Sequence, residues 1–145
     1  MTLPPPIDCR YAAVADAPLL ARMNQQLIRD ERHRNPMTLE ELEHRMRHWL
    51  RGEYRAVVVE LDGQPIGYAL YREEPDHVYL RQFFIASEHR RCGLGRSTMR
   101  WLREHAWPNR RRIRLDVLVG NAAAIEFWRS VGFRDYCITM EFKQE

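Results

Sequence analysis

The sequence predicts a mixed α/β (α+β) fold, in which a central, mostly antiparallel sheet is flanked by about four helices. Two amphipathic helical patterns come early, and three consecutive strand patterns joined by short turns follow them. The second half then alternates helix, strand, helix and strand. No repeat, low-complexity segment or linker interrupts this order, and 145 residues are enough for a core without disulfides or metals. Residues 1–145 are therefore expected to form one domain.

Each element has a local cause. Ile7 to Val14 reads as a first strand, after Pro4 to Pro6, whose missing N–H groups bar them from the middle of a sheet. Asp16 is placed to cap a helix whose apolar stripe runs through Leu20, Met23, Leu27 and Ile28. Thr38 and Glu41 have the spacing of a capping box, and Leu39, Leu42, Met46 and Trp49 or Leu50 continue the face of a second helix as far as Gly52. Two apolar runs around Asp62-Gly63 predict a hairpin, and HVYLRQFFI, starting at His77, adds a third strand. Period-two alternation puts Tyr79, Arg81 and Phe83 on one face of that strand, together with Ile85. From Leu94 to about Ala106 the spacing of Leu94, Thr98, Trp101, Leu102 and His105 is helical, and the run WPNRRR from Trp107 breaks it. RIRLDVLV, from Arg112 to Val119, alternates as a strand. Asn121 opens a helix carrying Ile125, Trp128 and Val131 on one face, Gly132 ends it, and FRDYCITMEF, from Phe133 to Phe142, supplies a last strand.

The formal net charge is +3, and Lys143 is the only lysine, so the basic charge is nearly all guanidinium. Guanidinium pairs bidentately with phosphate and carboxylate. The arginines are scattered and no helix carries a continuous basic face, so nucleic acid is not an expected partner. No apolar run is long enough to span a bilayer, and MTLPPPIDCRYAAV lacks the regions of a secretion signal. A cytoplasmic protein without a membrane partner is expected. Cys9, Cys92 and Cys137 are odd in number and have no metal-ligand spacing, so neither a disulfide framework nor a metal site is expected.

The stretch RRCGLGR, Arg90 to Arg96, sits between a strand and a helix. A glycine-containing turn there exposes unpaired N–H groups at the positive end of a helix dipole, which is an anion site. Gly93 and Gly95 permit positive φ and keep Cβ atoms away from a ligand, while Arg90, Arg91 and Arg96 add charge. No Lys-Ser or Lys-Thr follows at P-loop spacing, and no third glycine completes a dinucleotide fingerprint.

RRCGLG resembles the Arg/Gln-x-x-Gly-x-Gly/Ala signature of the GNAT superfamily of N-acetyltransferases, and NAAAIEFWRSVGF downstream resembles that family's second signature. The element order from Ile7 to Phe142 fits as well. The resemblance implies the GNAT fold, with splayed parallel fourth and fifth strands, and acetyl-CoA as co-substrate. It implies that the backbone around Phe84 and Ile85 pairs with the pantetheine arm. Arg90, Arg91, Cys92, Gly93, Leu94, Gly95 and Arg96 then hold the pyrophosphate, with Asn121 and Trp128 on the other side. The implied activity is transfer of the acetyl group to an amine acceptor by direct attack in a ternary complex; the alternatives are a non-catalytic acyl-CoA-binding regulator of the same fold and, less favoured, a basic nucleic-acid-binding module.

Catalytic groups are less plain. The family's usual tyrosine acid is replaced by Trp128, which either holds the sulfur or packs, and Tyr136 and Tyr79 are the candidate substitutes. No ready base stands on the fourth strand, leaving Glu73, Glu74, His77 or Glu31 through water chains. Arg81, facing the cleft, needs a partner: either a substrate carboxylate, which motivates an acidic or amino-acid-like small-molecule acceptor, or an internal ion pair with Glu31, Asp116 or another carboxylate. Asn24, Gln25, Glu31 and Asn35 are candidate acceptor contacts on the helices that form the acceptor wall in this family. The last strand, with Tyr136, Ile138, Met140 and Phe142, is the candidate surface of a homodimer.

Overall fold

The computed structural model describes residues 5–32 and 34–145. Five strands form one sheet in sequence order: β1 (Asp8–Tyr11), β2 (Tyr54–Leu61), β3 (Gln64–Glu73), β4 (Val78–Ile85) and β5 (Ile113–Arg114). The first four run antiparallel to their neighbours, and β5 joins β4 in parallel. Pro5 and Pro6 precede β1 as expected, and Pro4 lies outside the described residues.

Helices α1 (Ala17–Asp30) and α2 (Leu39–Arg51) cover one face of the sheet. There Leu20, Met23, Leu27 and Met46 pack on Ala56, Val58, Tyr68, Leu70 and Phe84. Helix α3 (Leu94–Trp101) covers the other face, where Met99 packs with Val57, Ala69, Tyr71 and Leu80. It widens into one π turn over Leu102–Ala106, and helix α4 (Ala122–Ser130) lies beyond it with its apolar side only half-buried.

Most local signals act as read. The Thr38 hydroxyl accepts from the Glu41 N–H at 3.2 Å and the Glu41 carboxylate accepts from the Thr38 N–H at 3.0 Å, closing the capping box. Asp62 and Gly63 take φ values of 51° and 78°, the mirror-image turn that suits twisted strands. Asp16 behaves differently. Its carboxylate turns back to the Ala13 N–H at 2.8 Å and to Arg10 at 3.0 Å, and these bonds hold its pKa below the usual carboxylate range; it caps no N–H of α1, where Pro18 stands at the first turn.

Three expected strands are altered, the first of them ending at Tyr11 because Val14 to Asp16 form a short 3-10 turn in place of the strand expected as far as Val14. The segment from Arg112 to Val119 pairs only at Ile113 and Arg114. The segment from Phe133 to Phe142 is no strand at all, and its Tyr136, Ile138, Met140 and Phe142 are 72–87% exposed. Alternation makes a strand only where a partner edge lies alongside, and a two-residue β5 is too short to template one. The tail instead runs toward the loop between α1 and α2, where Arg34 meets Glu141 at 3.3 Å.

Candidate active site

The site starts from an irregularity in β4. Its register with β3 runs Gly67↔Ile85, Ala69↔Phe83, Leu70↔Gln82, and then jumps to Tyr71↔Leu80, so Arg81 is the extra residue of a β-bulge. A bulge bends its strand and reverses the alternation across it. Tyr79, Arg81, Gln82 and Phe84 therefore face α1 and α2, while Leu80 and Phe83 face α3 and α4. The expected grouping of Tyr79, Arg81 and Phe83 on one face with Ile85 is corrected accordingly: the inserted residue moves Phe83 across the sheet.

Past Tyr79 the parallel strands separate. The ladder has only Val78↔Ile113 and Tyr79↔Arg114, so from Leu80 to Ile85 the outer edge of β4 has no strand beside it among the described residues. That edge offers alternating N–H and C=O groups to a peptide-like guest. On its inner edge β4 is held tightly, because a Cβ on Gly67 would lie 2.9 Å from Ile85 Cδ1 and closer still to the Phe84 carbonyl oxygen.

The open edge leads directly into the arginine turn. Ser87–His89 form one short turn, Arg91 takes φ 63°, and Gly93 takes φ 80° just before α3. Among the described residues, the N–H groups from Arg91 to Arg96 find no acceptor. They converge at the positive end of α3 and suit a polyanion. The side chains divide the work differently from the sequence expectation. Arg90 is turned inward: its Nε–H donates to the Ile85 carbonyl at 2.7 Å, and it meets Asp30 at 2.5 Å, which pins the turn to α1. Arg96 reaches the Ser130 carbonyl at 3.2 Å at the end of α4, while Arg91 and Cys92 are exposed. Gly95 has a packing duty too, since a Cβ there would stand 3.0 Å from Phe127 Cζ.

On the far side, the Asn121 side chain accepts from the Ala124 N–H at 3.2 Å and caps α4. Trp128 packs edge-on against Phe83 (5.1 Å), Phe127 (4.9 Å) and Phe133 (5.2 Å). Of the two readings left open for Trp128, these contacts are those of packing.

A family model described as the acetyltransferase (GNAT) family matches residues 20–133. The chain belongs to that family. None of the curated proteins matches the sequence. Similar solved structures include a possible acetyltransferase from Clostridium difficile 630, with 17% identity over 96% of this chain and 97% of that one at a TM-score of 0.77. The aminoglycoside N-acetyltransferase AAC(6')-Iy in complex with CoA is 14% identical over 96% and 95%, at 0.76. The aminoglycoside acetyltransferase meta-AAC0020 from an uncultured soil metagenomic sample, in complex with sisomicin, is 13% identical over 96% and 97%, at 0.73. As a GNAT acetyltransferase the protein uses acetyl-CoA, and the residues present fit it: the free β4 edge suits the amide-bearing arm, and the unpaired N–H groups of the turn suit the phosphates.

In this acetyltransferase each of the two candidate tyrosines contacts a residue of the chain where β4 and β5 part. Tyr79 donates its hydroxyl proton to Asp116 at 2.8 Å, and Tyr136 lies under the guanidinium of Arg114, the ladder partner of Tyr79, at 4.6 Å. Burial and the Asp116 hydrogen bond push Tyr79 up to about 12, so giving its proton to a thiolate, whose acid normally titrates near 8.5, is uphill. Glu73, Glu74 and His77 stay in the turn before β4: Glu73 near Arg110 at 3.9 Å, Glu74 on Arg72, and His77 on Asp76 at 2.8 Å.

The α1/α2 face carries a polar cluster. Arg81 donates to the Tyr54 hydroxyl at 3.2 Å and lies 4.8 Å from the Trp49 ring, over which Arg45 also lies at 4.4 Å. Arg45 donates to Asn24 at 3.1 Å, and Tyr68 donates to Gln82 at 2.8 Å. Burial, chiefly, drives the Tyr68 pKa upward, and the charge of Glu31 acts in the same direction. Among the described residues Arg81 forms no internal ion pair, and Asp116 instead accepts from the Tyr79 hydroxyl. Gln25, half-buried on α1, takes no part in these hydrogen bonds. Sequence reading missed Arg45, Tyr54 and Gln82 as site residues, placed Trp49 only on the apolar face of α2, and offered Asp116 to Arg81 rather than to Tyr79. Arg45 and Trp49 were accessible as an i, i+4 pair on α2.

Proposed function

We propose that the protein transfers the acetyl group of acetyl-CoA to the primary amine of a small, acidic or amino-acid-like molecule, by direct attack in a ternary complex. The observation that carries this reading is the continuity of the free β4 edge with the unpaired N–H groups of the turn from Arg91 to Arg96. The backbone around Phe84 and Ile85 holds the pantetheine arm, and the turn from Arg91 to Arg96 holds the pyrophosphate, with Arg90 bracing the turn. The acceptor enters over α1 and α2, where Arg81 favours a carboxylate-bearing molecule. The amine must arrive neutral. Its nitrogen forms a bond to the carbonyl carbon, the carbon–sulfur bond breaks, and the sulfur leaves as a thiolate that takes up the proton the nitrogen gives up. Alignment supplies most of the rate, and backbone N–H groups beside the bulge stabilise charge on the carbonyl oxygen.

Two of the similar structures are of aminoglycoside acetyltransferases. Aminoglycosides are polycations, which two neighbouring guanidiniums repel, so an anionic acceptor fits this wall better. The exposed Tyr136, Ile138, Met140 and Phe142 support a homodimer that covers this segment, which sedimentation equilibrium of the wild type and an Ile138→Lys variant tests.

The decisive experiment is calorimetric titration with acetyl-CoA of the wild type beside Gly93→Glu and Gly95→Glu, followed by thiol-release assays with a panel of amines. Micromolar binding that both variants lose, with turnover on carboxylate-bearing amines, supports the reading. Equal binding by all three proteins overturns the assignment of the turn.

A further inference from the structure

The bulge and α2 together build more than a wall. Arg81 and Arg45 come from different elements, and their guanidiniums share one platform, the Trp49 ring, at 4.8 and 4.4 Å. Arg81 also contacts the Tyr54 ring at 5.8 Å and its hydroxyl at 3.2 Å. Neither arginine forms a salt bridge among the described residues, although ten such pairs exist elsewhere in them, so the chain does not lack carboxylates to spend. The pair is electrostatically unfavourable as it stands. Burial, chiefly, and the charge of Arg81 both push the Arg45 pKa down.

A second observation points to the same place. Asn24 is 1% exposed, its carbonyl is taken by Arg45 and its amide group turns to the Tyr68 hydroxyl, whereas the Nε of Arg45 has no acceptor. Buried donors without acceptors are costly, and holding two like charges together adds to that cost. A group with two acceptor oxygens and one negative charge would relieve both.

We propose that Arg45 and Arg81, stacked on Trp49, form a seat for a carboxylate of the acceptor and so determine its chemical class. Arg81 belongs to the β4 bulge two residues past the last β4–β5 ladder pair, so a carboxylate held there leaves the amine of the same molecule beside the open edge. Trp49 holds both guanidiniums against its ring and is a positioning residue. The proposal rests on the acetyl-transfer reading for its consequence, but the seat itself is a binding property that can be measured without turnover.

The test has two arms. In the first, the wild type, Arg45→Gln, Arg81→Gln, Arg81→Lys and Trp49→Leu are titrated calorimetrically with glutarate, which has carboxylates but no amine, with inorganic phosphate, and with acetyl-CoA. Glutarate should bind the wild type, each Gln variant should weaken it about tenfold or more, and Arg81→Lys should recover only part, because a point charge does not reproduce the fork. Acetyl-CoA affinity should stay near wild type, and the thermal midpoints of the arginine variants should not fall, showing that they fold; Trp49→Leu, which also loses its packing on Tyr54, should melt lower and weaken glutarate. Failure of the wild type to bind glutarate, phosphate binding tighter than glutarate, or equal glutarate binding by the Gln variants each overturns the seat. In the second arm, amino acids are compared with their carboxamides as acetyl acceptors. The seat predicts a KM preference of about tenfold for the carboxylate form, abolished in both Gln variants. If glutarate binds as described but no amine is acetylated, the transfer reading falls and the seat stands. Turnover without any preference for the carboxylate overturns the seat as an acceptor determinant and leaves the transfer reading intact.

Discussion

Gly67→Ala tests the geometry on which the candidate site depends. Gly67 pairs with Ile85, and a Cβ there would lie 2.9 Å from Ile85 Cδ1 and 3.1 Å from the Phe84 carbonyl carbon, with the Phe84 oxygen nearer still. Carbon atoms in comfortable contact stand about 3.5–4.0 Å apart, and the Phe84 oxygen and carbon are backbone, which no rotamer change can move away. Strands β3 and β4 must separate, in a sheet where Val58, Tyr68, Ala69 and Leu70 are fully buried. Overpacking of this kind costs about 3 kcal/mol or more, and a chain of this size loses roughly 3 °C of midpoint per kcal/mol. Gly67→Ala should therefore lower the thermal midpoint by about 10 °C, read by circular dichroism or calorimetry. Acetyl-CoA affinity should fall as well, because the displaced residues Phe84 and Ile85 form the open edge. Gly63→Ala is the control: φ is +78° but no atom lies within 4 Å of the added Cβ, so left-handed strain of about 1 kcal/mol and a shift near 3 °C are expected. If Gly67→Ala melts within a degree or two of Gly63→Ala, the close approach of β3 and β4 is not what this structure makes it.

Three further outcomes are expected. Gly95→Ala, whose Cβ would press on Phe127 at 3.0 Å, should weaken acetyl-CoA binding by displacing α4 from α3, and Gly95→Ala/Phe127→Leu should restore it; binding unchanged in the single variant would refute the packing role of Gly95. Tyr79 has a folded pKa raised to about 12 from an ordinary value near 10, so the neutral phenol is favoured by folding; the stability it contributes is complete below about pH 10 and is lost as pH rises toward 12, and because Tyr71 and Tyr68 are raised as well, Tyr79→Phe should make this loss shallower in urea titrations without abolishing it. Cys92 and Cys137 are exposed, whereas burial pushes Cys9 up to about 11, so iodoacetamide at pH 8 should label the first two and spare Cys9, and acetyl-CoA should protect Cys92 alone in peptide mass spectra.

Much of the molecule was legible in the chain because it rests on contacts between residues near one another in sequence. The Thr38–Glu41 capping box, the Asp62-Gly63 turn and the helix that follows Gly93 are decided within a few residues, by side-chain oxygens reaching nearby N–H groups and by φ values that glycine tolerates. The two signatures that place the chain among the GNAT acetyltransferases are likewise local. The element order was readable for the same reason, up to β5. What tertiary structure alone decided depends on partners far along the chain. The bulge at Arg81 is a property of the β3–β4 register, so alternation within β4 misplaced Phe83 and left Arg81 without its platform on Trp49. Arg90 reads as a phosphate ligand until Asp30 and the Ile85 carbonyl claim its guanidinium. The segment from Phe133 to Phe142 carries a strand's alternation, yet a strand is a relation between two edges, and no neighbouring edge in this chain is long enough to complete it.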